Sequence, residues 1–432
     1  MNVSTSAVTE RATALLDRIA AIDGRFKAYV AIDRAGVLRE AARLDAVPMR
    51  DRGPLHDVTL AVKDIIDVAG LPTRAGSAFF ERLPTEDAPV VRCLRDAGAL
   101  VIGKTNTHEF AWGITTENPH FGRTANPYDP ARIVGGSSGG AGAAIAADLA
   151  DLALGTDTLG SIRIPSALCG LTGLRPATGS IPIAGIVPLA PAMDTVGPMA
   201  HDVATVAAAY QVLAGPLASP PRLRVCRVRS AGWEAIEPYM LRALDEVAEH
   251  ARRFPKPIEI TDVPWWESAL VDATARVQQG SVKAENFHAP LFARYRERYG
   301  DDVRERVANA LSTEDQSVSA ARAEIARARI SWDAALHGYD LALAPIVRGE
   351  APLAPAPAAF RPETSPLVTP ASAFGLPALA IPIGSGPSGM PLGLQIIALN
   401  GDAATALAFG AMFQRATDWH RHRPLIQEET KS

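Results

Sequence analysis

Residues 58–64 read VTLAVKD, residues 88–98 read APVVRCLRDAG, and residues 99–105 read ALVIGKT. The first and third are short apolar runs of strand length. The middle one has the apolar spacing of a helix and stops at Gly98. Strand, helix with a glycine stop, and strand again is the rhythm of a layered α/β protein. Toward the N-terminus, ERATALLDRIAAI and DRAGVLREAARLDAV, within residues 8–45, have helical periodicity and predict two helices. In the other direction, a Gly-rich polar segment runs from Thr105 to about Gly179, where flanking strands would hold loops suited to chemistry. A Pro-rich join follows near 214–222 (AGPLASPPR). Then come a strand (LRVCRV) and three long helical stretches around 233–254, 266–295 and 313–337, whose charged faces (Arg322, Glu324, Arg327) suit solvent. LALAPIV predicts another strand, and EAPLAPAPAAFRPETSP (350–366) is too proline-rich for a helix or central strand. PALAIPIG and LGLQIIAL predict two more strands, and a helix from about Asp402 to Arg415 closes the pattern.

Of the 432 residues, 47% are apolar and 21% charged, which suits a soluble protein with a large core. The net charge of −4 gives no basic field for nucleic acid or an acidic membrane surface, so neither is expected as a partner. The opening MNVSTSAVTE lacks a basic segment followed by an apolar run, so a cytoplasmic location is expected. The most apolar stretch, residues 141–155, is mostly alanine and is broken by Asp148 and Asp151, so no membrane span is expected. Cys93, Cys169 and Cys226 are odd in number and far apart, which defines neither a zinc site nor a disulfide framework.

Three features call for a chemical explanation. RIVGGSSGGAGAAIAA sets Ser137 and Ser138 between glycine pairs ahead of a helix. GTDTLGSIRIPSALCG sets Ser161 in a second glycine-flanked turn after a strand. Lys63 ends the first apolar strand, beside Asp64. A lone lysine is usually a solvated surface charge, and Gly/Ser clusters are usually flexible turns. Together they carry more weight, because a serine hydroxyl needs a base to attack an amide, and burial at a strand end would lower the pKa of Lys63 into that role. The residues 135–139 also fit G-x-S-x-G with Ser137 at its centre. That pattern wants an apolar strand just before it, whereas NPYDPARIV reads as loop, and no later histidine (His201, His250, His288, His337, His420 or His422) has a supporting context. The loop lacks the Gly-Lys-Ser/Thr ending of a phosphate-binding P-loop, and no strand leads into it as a dinucleotide fingerprint requires.

From roughly Leu55 to Ala214, and again from about Leu341 to Arg415, the chain resembles the amidase signature family. The matching words are AVKDIIDVAGLPTRAGS, GALVIGKTNTHEFAWGITTENPHFGRTANPYDP, VGGSSGGAGAAIAA, LGTDTLGSIRIPSALCGLTGLRP and MDTVGPMAHDV, with GLPALAIPIG and GMPLGLQIIA near the C-terminus. The resemblance implies one amidase domain over 1–432: N-terminal helices (1–50), signature core (55–214), variable helical region (222–340) and a C-terminal part of the core (341–432). Its fold would be α/β, a single large mixed sheet covered by helices on both faces. The resemblance makes Lys63 the base, Ser137 a bridging serine on a cis peptide bond, and Ser161 the nucleophile. Backbone N–H groups of Thr158, Leu159, Gly160 and Ser161 would meet the oxyanion. Gly135, Gly136, Trp112 and Ile186 would help bind substrate, with Phe110 and Ile164 nearby, and Ser138, Asp157 and Arg163 would support the loops. His108 is expected to be structural. No metal or organic cofactor is implied, and a homodimer is expected.

One departure stands out. Where the family usually has glycine, this chain has Leu159, which disfavours a positive φ and should narrow the acyl side of the pocket. Functionally, the reading is an amidohydrolase that cleaves a small-molecule, non-peptide carboxamide through a Ser-cisSer-Lys triad. The alternatives are the glutaminase-type subunit of an amidotransferase complex and a G-x-S-x-G esterase. Aliphatic, aryl and urea-like amides all remain open as substrates.

Overall fold

The computed structural model describes residues 8–218, 223–230 and 233–426. Residues 1–7 and the centre of the Pro-rich join lie outside them. In chain order the first elements are α1 (Val8–Phe26), β1 (Tyr29–Ala31), α2 (Arg34–Asp45), β2 (Thr59–Lys63), α3 (Pro89–Asp96) and β3 (Leu100–Thr105). A small hairpin, β4 (Glu117–Asn118) and β5 (Gly122–Arg123), precedes α4 (Gly139–Ala146), β6 (Leu152–Asp157), α5 (Arg163–Leu168), β7 (Thr172–Arg175), β8 (Thr195–Ala200) and α6 (Val203–Ala214). There follow β9 (Val225–Arg229), α7 (Pro238–Arg252), β10 (Ile260–Pro264), α8 (Leu270–Glu285), α9 (His288–Tyr295), α10 (Asp301–Ser312) and α11 (Asp315–Ala335). The last are β11 (Leu341–Pro345), α12 (Phe360–Ala373), β12 (Ala378–Ser385), β13 (Pro391–Ala398) and α13 (Ala403–Ala416).

Eleven strands form one mixed sheet in the order β1-β3-β2-β6-β8-β7-β12-β13-β11-β9-β10. β2 lies parallel to both β3 and β6, while β6, β8, β7, β12, β13 and β11 pair antiparallel in succession. Every residue of β2, β3, β6, β8 and β13 is buried, as expected for strands covered by helices on both faces. The edge strand β10 is different: its Thr261 and Asp262 are exposed, and a charge on an edge discourages further pairing. Strands from the signature core, the variable region and the C-terminal part therefore share one sheet. No helix among the described residues is long and apolar enough to cross a membrane.

Three expectations need correction. The stretch 266–295 is two helices, because Asn286 adopts the left-handed conformation (φ 55°) and caps α8 before α9 begins. A further helix, α10, fills residues the pattern left unassigned. The proline-rich run 350–366 is not wholly irregular: from Phe360 onward it forms the start of α12, which contains Pro366 and Pro370. Each proline removes one backbone hydrogen bond. Burial of Leu367 through Ser372, with Ser365 Oγ and Thr369 Oγ1 donating to carbonyls four residues earlier, offsets the loss.

Candidate active site

Lys63 is the last residue of β2 and has no solvent exposure. Its Nζ lies 2.8 Å from Ser137 Oγ and 2.7 Å from Thr156 Oγ1 on β6, brought together by the parallel β2–β6 pairing. Among the described residues no carboxylate forms an ion pair with it, whereas the neighbouring buried Lys104 pairs with Asp64 at 3.1 Å. Desolvation pushes the Lys63 ammonium down to about 7, against the weaker opposing pull of Asp194 and Asp157.

Ser137 is delivered by the glycine loop that leads into α4, and the Gly136–Ser137 peptide bond is cis. Gly135 has φ +83°, and a Cβ on Gly136 would stand 2.7 Å from Thr116 Oγ1, so this approach requires glycine. The Ser137 carbonyl accepts the His108 N–H (3.2 Å) and the Thr107 hydroxyl (3.0 Å). Ser138 ties the loops together: its Oγ bonds both backbone groups of Thr156, and its N–H donates to the Ser161 carbonyl (3.2 Å).

The turn after β6 is organised by Asp157. Its carboxylate accepts the N–H groups of Gly160 (2.8 Å) and Ile162 (3.2 Å) and pairs with Arg163 (3.0 Å) and Arg175 (3.2 Å), all without solvent exposure. The two guanidinium groups outweigh desolvation and hold Asp157 well below the usual carboxylate range. Arg163 also bonds the Val368 carbonyl, Ser372 Oγ and Gln395 Oε1, which fixes the turn to α12 and β13. Gly160 has φ +95°, but Leu159 is not among the positive-φ residues, so the turn uses a conformation leucine tolerates. The expectation that Gly160 offers its N–H to the oxyanion is corrected, because that donor is engaged by Asp157. Ser161 is 6% exposed, and its hydroxyl engages no described partner.

A narrow recess, with room for about one water molecule, adjoins Lys63's partner Thr156. Ile65, Ala111, Ile183, Ile186 and Val187 make it apolar, while Thr158 and Asp194 give it a polar side. Ile186, expected to help bind substrate, is thus part of this recess lining. Trp112 lies outside the recess, 3% exposed near His288, with its carbonyl bonded by Arg306. His108 is buried and bonds Asp302 Oδ2 at 2.9 Å.

Three residues of this arrangement were not singled out in the sequence. Thr156 contacts the base, and Arg175 is the second clamp on Asp157. Asp194 accepts the Thr158 hydroxyl (2.5 Å) and the Leu189 and Ala190 N–H groups, while burial raises its carboxyl. Each lies inside a matched word (GTDTLGS, TGLRP, MDTVGP), but no residue-level signal says what it touches.

The chain belongs to the amidase family, whose model matches residues 10–407, and it carries the family's amidase signature. A curated relative, the A-type component of the glutamyl-tRNA(Gln) amidotransferase of Roseiflexus castenholzii, is 33% identical over 97% of this chain and 94% of its own length. Among solved structures, a crystal structure of an amidase superposes with a TM-score of 0.87 at 30% identity, covering 95% of this chain and 96% of the other. The native peptide amidase of Stenotrophomonas maltophilia gives 0.83 at 30% identity, covering 98% and 96%.

Proposed function

We propose that this chain is a stand-alone amidohydrolase of small, non-peptide carboxamides, with Ser161 as nucleophile, Ser137 as proton bridge and Lys63 as base. The observation that carries the reading is Lys63: fully buried, with no ion-pair partner among the described residues, 2.8 Å from Ser137 Oγ and lowered by burial to about 7. Neutral Lys63 takes the Ser137 hydroxyl proton while Ser137 takes that of Ser161, and Ser161 Oγ attacks the carbonyl carbon. The N–H groups of Thr158, Leu159 and Ser161, which have no protein acceptor in the turn, face the negative charge that develops on the carbonyl oxygen. The proton returns through Ser137 to the leaving nitrogen, the C–N bond breaks, and ammonia or an amine departs. Water then attacks the Ser161 ester by the same relay and releases the carboxylate.

A second reading has a specific observation behind it. The Roseiflexus relative is one component of an amidotransferase, so this chain could act as the amide-cleaving part of a complex. Ammonia release from simple amides by the purified chain supports the first reading. Release only after a partner protein is added supports the second. The G-x-S-x-G esterase reading predicts that activity survives both Lys63→Ala and Ser161→Ala.

A further inference from the structure

The loop from His108 to Trp112 lies between the N-terminal end of α10 and Ser137. On one side it holds the Ser137 carbonyl: the His108 N–H is that oxygen's backbone donor (3.2 Å), joined by the Thr107 hydroxyl (3.0 Å). Ser137 Oγ is in turn 2.8 Å from Lys63 Nζ. Ala111, in the same loop, lines the recess beside Thr156. On the other side α10 grips the loop at three points. The Gly300 N–H donates to Glu109 Oε2 (2.8 Å), Asp302 Oδ2 bonds His108 Nε2 (2.9 Å), and Arg306 donates to the Trp112 carbonyl. Asp302 and Arg306 stand one helical turn apart on one face and pair with each other (2.9 Å). The backbone of the loop calls for such a grip. Phe110 and Ala111 are consecutive non-glycine residues with positive φ (48° and 60°), a conformation that persists only where its surroundings impose it. The His108 ring is equally constrained. A Cβ on Gly113 would collide with it, its Nδ1 is buried without a partner, and Asp302 is its one hydrogen-bond partner among the described residues.

We propose that Asp302 is a positioning residue: through His108 it fixes the Ser137 carbonyl, and with it the path over which Ser137 hands protons between Ser161 and Lys63. This rests on the reading of Ser137 as the proton bridge. Proton transfer needs hydrogen-bond reach between the groups, so a small displacement of Ser137 lowers turnover without weakening substrate binding.

The test measures kcat and KM for a simple amide in the wild-type chain, Asp302→Ala, Asp302→Asn and a control, Arg304→Ala. The Asp302 side chain is 45% exposed, so its truncation leaves no buried void. Arg304 pairs with Asp301 (2.6 Å) on the same helix and makes no hydrogen bond or ion pair with the loop. Asp302→Ala should lower kcat roughly tenfold to hundredfold with KM little changed. Asp302→Asn, whose amide oxygen still accepts from the His108 ring, should recover part of the loss, and Arg304→Ala should keep the wild-type kcat. A wild-type kcat in Asp302→Ala, a loss expressed in KM alone, or an equal loss in Arg304→Ala overturns the proposal. If the wild-type chain cleaves no amide, the amidase reading fails, and hydrogen exchange over residues 107–113 decides whether Asp302 holds the loop. Faster exchange in Asp302→Ala than in the wild type supports it, and unchanged exchange rejects it.

Discussion

Burial lowers both Lys104 and Lys63, one strand apart, but the Asp64 carboxylate 3.1 Å from Lys104 opposes that shift, whereas Lys63 has no ion-paired carboxylate among the described residues and comes down to about 7. Replacing Lys63 by alanine should lower kcat by roughly 10²–10⁴-fold, measured as ammonia release with folding checked by circular dichroism. The ammonium has no lone pair, so kcat/KM should fall about tenfold per pH unit below about pH 7 and level off above it. The same depression has a stability consequence. Between about pH 7 and 10.5 the unfolded chain holds a proton that folded Lys63 has released, so this contribution to stability rises with pH across that window. Leu159 borders the same turn and is only half-buried. Leu159→Gly should broaden acceptance of bulky acyl groups, and equal relative rates on small and bulky amides in variant and wild type would refute this.

At the scale of elements, the turn after β6 is held by Asp157, the one ion-pair partner of Arg163 and Arg175 among the described residues. Asp157→Asn leaves the Arg163 and Arg175 guanidinium groups buried without a counter-ion and should destabilise the fold by about 3–5 kcal/mol, read from urea denaturation midpoints. A loss below about 1 kcal/mol would mean that the clamp is not holding the turn. The elements that carry the site were legible in the sequence: VTLAVKD and ALVIGKT are strands, as their short apolar runs implied, and the structure pairs them side by side in parallel. What was not legible depends on partners far along the chain. The helix through Pro366 and Pro370 is held from far along the chain, where the Gln395 amide and Arg163 bond its Leu367 and Val368 carbonyls. The grip of Asp194 on Thr158 likewise joins residues that no local pattern connects.

For the whole molecule, β9 and β10 of the variable region extend the same sheet that carries Lys63 and Ser161. α10 of that region reaches the site through Asp302 and Arg306. That region has the least patterning in the sequence, so its contacts with the loop of His108 and Trp112 were not legible there, while the recess beside Lys63 is lined by residues of the signature core. The homodimer expected from the family resemblance is open to light scattering on the purified chain, where a mass twice the monomer's is the expected outcome. The most direct test of the catalytic account is ammonia release from a simple amide by the purified single chain, compared with Ser161→Ala. Steady release by the wild type and a loss of roughly 10⁴-fold or more in the variant is the predicted result. Undiminished release by Ser161→Ala would contradict it.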